Sequence, residues 1–160
     1  MRPKPFNVIL FGGLVAGALD LTAACLTNWL RAGTTPEKVM QSVASGLLGA
    51  ASYSGGAGTA ALGVILHFCI ATAWTAIFFL ASRKRRVLID RPLSSGLLYG
   101  VAVYLFMNFV VLPLSAFPKR AAPPLSGRII GLLVIMFCIG LPIAQVVRRF
   151  SRAELHSSRS

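Results

Sequence analysis

Charge is the scarcest feature of this 160-residue chain. Only 12% of its residues are charged, about half the share of an ordinary soluble domain. Acid is scarcer still, with 4 Asp and Glu against 16 Lys and Arg, a net charge of +12. A chain so short and 56% hydrophobic cannot hide that much apolar surface from water, which excludes disorder and most soluble enzymes. The three cysteines, Cys25, Cys69 and Cys138, are odd in number and lie inside apolar runs, so they read as small buried hydrophobes and not as a disulfide framework. Of the two histidines, His156 falls in the polar tail, which removes a bis-histidine haem site. A metal centre would need several His, Cys or carboxylates converging, and His67 with Cys69 is a pair at best. No G-x-S-x-G elbow, P-loop or HExxH is present. The expectation is no catalytic residue, no metal and no cofactor. Nucleic acid is not an expected partner either, since no basic helix carries interleaved aromatics.

What the chain has instead is long apolar stretches, with a mean hydropathy of +0.74. Four runs, about 6–30, 60–82, 93–115 and 129–147, are long enough to cross a bilayer, which takes about 20 residues. They must be helices, because hydrocarbon offers no partner for unpaired backbone groups and no alternating barrel pattern is present. The fold class is therefore all-α: a polytopic membrane protein with four transmembrane helices in a compact bundle. Residues 1–150 make one transmembrane domain and 151–160 a short basic tail. A cleaved lipoprotein signal at Thr22-Ala23-Ala24-Cys25 is the weaker reading, since the first run is too long for a signal core and Asp20 interrupts it.

The basic residues set the orientation. The amino terminus, the second connection (Arg83 to Arg86, and Arg91) and the tail carry 11 positive residues, and the other two connections carry 5. Both termini are thus expected in the cytoplasm. In the long first outer connection, Thr34-Thr35-Pro36-Glu37 reads as a helix start, with Thr35 as cap or Thr34 and Glu37 as a capping box. Val39, Met40, Val43, Leu47 and Leu48 then recur at helical spacing against Lys38, Gln41, Ser42 and Ser45, predicting a short amphipathic helix, interfacial or re-entrant. The run Ser54-Gly55-Gly56-Ala57-Gly58 breaks it. In the third connection Pro118, Pro123 and Pro124 predict an irregular loop. Pro113 and Pro142 are expected to kink the third and fourth spans, and Trp29, Trp74, Tyr53, Tyr99 and Phe150 read as interface anchors or packing.

Helices in lipid associate by close approach at small residues. Gly13 and Gly17 on the first span, Gly63 on the second, Gly96 and Gly100 on the third, and Gly127 and Gly131 on the fourth form such stripes. Three polar residues ride on these faces: Asp20, His67 and Asn108. At 1.5 Å per residue, Asp20 and Asn108 fall roughly 21 Å above the cytoplasmic end and His67 roughly 10 Å below the outer end. They share one layer and form a candidate intramembrane polar site. A carboxylate near a helix centre costs about 2.5–3.5 kcal/mol to insert, so Asp20 is expected to face inward and find a partner.

The Gly-rich Gly12-Gly13-Leu14-Val15-Ala16-Gly17, the His-bearing second span, and Met107-Asn108-Phe109-Val110-Val111-Leu112-Pro113-Leu114 followed by a basic carboxyl end resemble the small four-span proteins of the bacterial inner membrane, within them the YagU-like group. The resemblance implies a bacterial plasma-membrane location and brings no catalytic residues. The expected role is a non-enzymatic membrane component, structural or a partner subunit, in contact with the lipid bilayer and with a second copy or another membrane protein. The alternative is a small proton-linked transporter or channel in which Asp20 and His67 handle a proton, Asn108 orients the solute, and GxxxG faces join two copies.

Overall fold

The computed structural model describes residues 4–118 and 124–157, with side chains up to Ser151. Its first helix, α1 (Pro5–Ala32), starts with Pro5 in the first turn, where the absent N–H is no loss. It ends where Gly33 turns left-handed at φ 61° and its N–H bonds back to Trp29 O. The amphipathic helix α2 (Pro36–Leu48) follows, capped by Thr35, whose hydroxyl accepts from Lys38 N at 3.4 Å. A 3-10 helix over Gly49–Ser54 leads into α3 (Gly56–Lys84), so the break opens at Gly49, φ 63°, earlier than the glycine-rich run. After the single turn α4 (Val87–Asp90), the third span runs through α5 (Pro92–Phe106), a π turn over Met107–Val111 and α6 (Leu112–Leu114). The fourth combines α7 (Leu125–Val134), a π turn over Ile135–Gly140 and α8 (Leu141–Ser157).

Four helices are long and apolar enough to cross a membrane: Pro5–Ala32, Gly56–Lys84, Pro92–Leu114 and Leu125–Ser151. The first, second and fourth run a few residues past the apolar stretch, because polar end residues continue the hydrogen-bond ladder at no cost once in water, while the third matches its expected run to within one residue at each end. The last helix continues to Ser157 with no break at 150, so the tail begins as an extension of the fourth span. The predicted loop residues Lys119, Arg120 and Pro123 lie outside the described residues, as do Arg2 and Arg159. No strand occurs among the described residues.

Each π turn sits just before a proline. Pro113 and Pro142 have no N–H, and their rings clash with the carbonyl four residues back. The chain relieves the clash by widening the turn ahead of each. Leu112 N reaches back five residues to Met107 O, and Leu141 N to Met136 O. The expected kinks therefore take the form of inserted π turns.

The bundle is two tight helix pairs joined by a core. In the first pair, α1 meets α3 through Gly12, Gly13 and Gly17, whose missing Cβ positions are occupied by Thr75, Thr72 and Phe68. In the second, Gly96 and Gly100 of α5 meet Gly140 and Met136 backbone to backbone. A side chain at Gly140 would fall on Gly96 O and Gly100 N. Two of the GxxxG faces expected to join two copies, Gly13–Gly17 and Gly96–Gly100, are consumed inside one chain, and Gly140 completes the contact between the third and fourth spans. Between the pairs Val8, Phe78, Ile143 and Val147 are almost fully buried. The second and third spans meet through rings: Tyr99 stacks edge-on against Trp74 and Phe78, and its hydroxyl donates to Trp74 O at 2.6 Å. Trp74 and Tyr99 are thus packing residues. The outward faces are apolar, with Phe6, Ile65, Leu98 and Phe109 each at least 60% exposed, as lipid-facing surfaces require.

Helix α2 packs on protein. Gly63 on α3 abuts the Met40 backbone so closely that a Cβ there would meet Met40 O. The buried face is Val39, Gln41, Ala44 and Ser45, while Leu47 and Leu48 are 62% and 43% exposed. This corrects the apolar face read from periodicity. Gln41 and Ser45 turn inward because partners await them: the Gln41 amide donates to Gly56 O at 3.1 Å, and the Ser45 hydroxyl to Ser42 O. A backbone bond from Ala116 N to Gly46 O ties α2 to the end of the third span.

Candidate functional site

The site grows out of the packing between α1 and α3. Without a side chain at Gly17, the Phe68 ring can press onto the α1 backbone, and the neighbouring His67 comes within reach. Its Nε2 lies 2.9 Å from Gly17 O. A carbonyl only accepts, so this nitrogen carries the hydrogen. One turn further along α1, Asp20 Oδ2 lies 3.9 Å from the same Nε2. The side chains are 13% (His67) and 17% (Asp20) exposed. His67 therefore donates one N–H to a carbonyl with a carboxylate beside it.

Their depths agree. Asp20 is 12 residues from the Ala32 end of α1 and His67 is 11 from the Gly56 end of α3, about 18 and 16 Å along the axes. The His67 depth exceeds the sequence estimate because α3 begins at Gly56, four residues before the apolar run.

Asp20 also opens onto a groove of about 550 Å³ between α1 and α7. One wall is the α1 stripe of Asp20, Ala24, Thr27, Asn28 and Arg31, spaced i, i+4, i+7, i+8 and i+11 on one helix face. The other wall is Pro124, Gly127, Ile130, Gly131, Val134 and Ile135. At the mouth, Arg31 donates to Ser126 Oγ at 3.0 Å, spanning the two helices. Thr27 and Asn28 satisfy donors on their own helix, to Ala23 O and Ala24 O, which leaves the Asn28 carbonyl as an acceptor for a ligand.

Of the three predicted polar residues, the structure brings Asp20 and His67 together and leaves Asn108 apart. Asn108 is exposed, donates to Tyr104 O at 2.8 Å, and does not line the groove. The reason is the π turn that holds it: its wider step breaks the four-residue register Gly96–Gly100–Tyr104 on which the prediction rested. Gly127 and Gly131 likewise line the groove wall, and a methyl at Gly131 would meet only ordinary contact with the Tyr104 ring at 3.6 Å. Gly13, Gly17, Gly63, Gly96 and Gly100 all sit at close helix contacts, where Gly12 and Gly140 join them. The sequence reading missed Asn28 and Arg31, although the stripe from Asp20 through Thr27 pointed at them. Among the described residues no group of three or more His, Cys, Asp or Glu converges as a metal would require.

The chain matches no family model, no curated protein and no solved structure.

Proposed function

We propose that this protein is a multi-pass component of the bacterial inner membrane that binds a small polar solute and couples its binding to a proton. One observation carries this reading: the Asp20–His67 pair, 3.9 Å apart, adjoins a groove of about 550 Å³ that ends at Arg31. An intramembrane ionisable pair facing a cavity is a functional arrangement by default. A ligand entering the groove meets a carboxylate at its floor, a hydroxyl and an amide carbonyl on its wall, and a guanidinium at its mouth. Contact with Asp20 competes with the hydrogen His67 directs there, so binding and the proton held by the pair are linked. No step of the reading is catalytic.

The orientation follows from charge. Lys4, Arg83 to Arg86, Arg91, Arg148 and Arg149 gather at one end of the bundle, which supports a cytoplasmic side there and an external groove mouth. The resemblance to YagU-like proteins supports the same membrane.

A second reading, a partner subunit without transport, has its own support. Val8, Phe78, Ile143 and Val147 pack closely toward the basic end, in the way of a solute moving on from Asp20. Proteoliposomes holding a pH-sensitive dye separate the two. Transport predicts proton movement after a pH step that Asp20→Asn abolishes with helix content retained. A pH response in the Asn variant equal to that of the unmodified protein overturns it in favour of the subunit reading.

A further inference from the structure

A second cleft, at the basic end, has the makings of a lipid site. It holds about 490 Å³ between the third and fourth spans and is lined by Pro92, Leu93, Gln145, Arg148 and Arg149. The last three are spaced i, i+3 and i+4, so they project from one face of α8. Across from them is the first turn of α5, with Pro92 in its first positions. Leu93 and Ser94 there have backbone N–H groups with no carbonyl four residues back in the helix. Neither arginine has a carboxylate within ion-pair distance among the described residues. Asp90, at the same end, lines a separate cleft with Arg83 and Arg86.

The surroundings are those of an amphiphile. Leu93 is 61% exposed beside the arginines, and Leu97, one turn further along the same face of α5, is partly exposed. Cations and amide donors lie where the span leaves the membrane, with bare apolar surface running away from them into it. Positive charge anywhere in this end would satisfy topology. Two arginines sharing a cleft with an amide side chain and a helix start are a more specific arrangement.

We propose that this cleft binds one anionic glycerophospholipid. Arg148 and Arg149 hold its phosphate oxygens, their planar forks matching that group. Gln145 donates alongside, and an acyl chain lies over Leu93 and Leu97. A zwitterionic lipid fits less well because its own ammonium meets two guanidinium groups that have no carboxylate within ion-pair distance among the described residues. A free phosphate gains nothing from the apolar flank.

The test is native mass spectrometry of the full chain in detergent, titrated with phosphatidylglycerol or with phosphatidylcholine of the same chains. The anionic lipid is expected to bind at least about tenfold more tightly, the scale of one charge-assisted hydrogen bond. Arg148→Gln with Arg149→Gln should weaken it by about that factor, and Arg83→Gln with Arg85→Gln, an equal loss of charge outside the cleft, by no more than about twofold. Gln145→Ala leaves charge and fold intact and should still weaken binding about threefold. Equal losses in the two arginine pairs, equal binding of the two lipids, or displacement of the lipid by soluble glycerol phosphate at matching concentration would each overturn the proposal.

Discussion

Replacing either member of the Asp20–His67 pair should have unequal consequences. In His67→Leu the carboxylate loses the imidazole beside it and keeps its place about 18 Å from the helix end. Its insertion cost of about 2.5–3.5 kcal/mol then stands without the attraction that offsets it. Removing one partner of a buried pair costs about 3–5 kcal/mol, and the partial exposure of this pair lowers that. His67→Leu should therefore destabilise the bundle by about 2–3 kcal/mol. Asp20→Asn removes the charge and keeps a side chain of nearly the same shape. It forfeits only a polar contact between helices, which averages about 0.6 kcal/mol and reaches about 1.7. The double variant has no charge left to strand, so it should be more stable than His67→Leu alone, with a coupling of about 1–2 kcal/mol. Denaturant titration of the four proteins in mixed micelles, followed by far-UV circular dichroism, measures each term. Equal losses in the two single variants, or single effects that add in the double, would refute the idea that the pair holds a charge in the membrane.

Further outcomes follow from the same coordinates. Gly17→Ala should push α3 off α1 through Phe68, and the separation should appear as weaker coupling in the same Asp20–His67 cycle. Gly140→Ala drives a methyl into Gly96 O and Gly100 and should cost about 1–3 kcal/mol in micelle unfolding. Gly58→Ala, where nothing lies within 4 Å, should leave stability unchanged or raised. Tyr99→Phe keeps its ring contacts and loses one bond to Trp74 O, a loss of about 0.6 kcal/mol by the same assay. Ser126→Ala frees the Arg31 end of α7, so a cysteine placed at Ile130 in a chain lacking Cys25, Cys69 and Cys138 should react faster with a water-soluble maleimide.

The residues differ in how far they could be read from sequence. The spans were legible to within a few residues because each is a local property: a run of apolar side chains must be helical in lipid whatever surrounds it. The Thr35 cap and the prolines were legible for the same reason. Asp20 and His67 were legible as inward-facing because a polar group on a small-residue stripe has nowhere else to go. Asn108 shows where that reasoning stops. Its stripe assumed an uninterrupted α-helix, and Pro113, five residues on, forces a π turn that breaks the register. Gln41 and Ser45 show a second limit, since a polar side chain turns inward when a carbonyl accepts from it, Gly56 O for Gln41 and Ser42 O of its own helix for Ser45.

The sequence by itself determined that lipid is the solvent, that four helices cross it, and which helix faces are small enough for close contact. The tertiary structure alone decided which faces meet: Gly13 and Gly17 with α3, Gly96 and Gly100 with Gly140, and α7 held off α1 to leave the groove above Asp20. The physical reason is that hydrocarbon does not discriminate among apolar faces. The hydrophobic effect that orients helices in water is absent, and pairing rests on shape fitting between segments far apart in the chain.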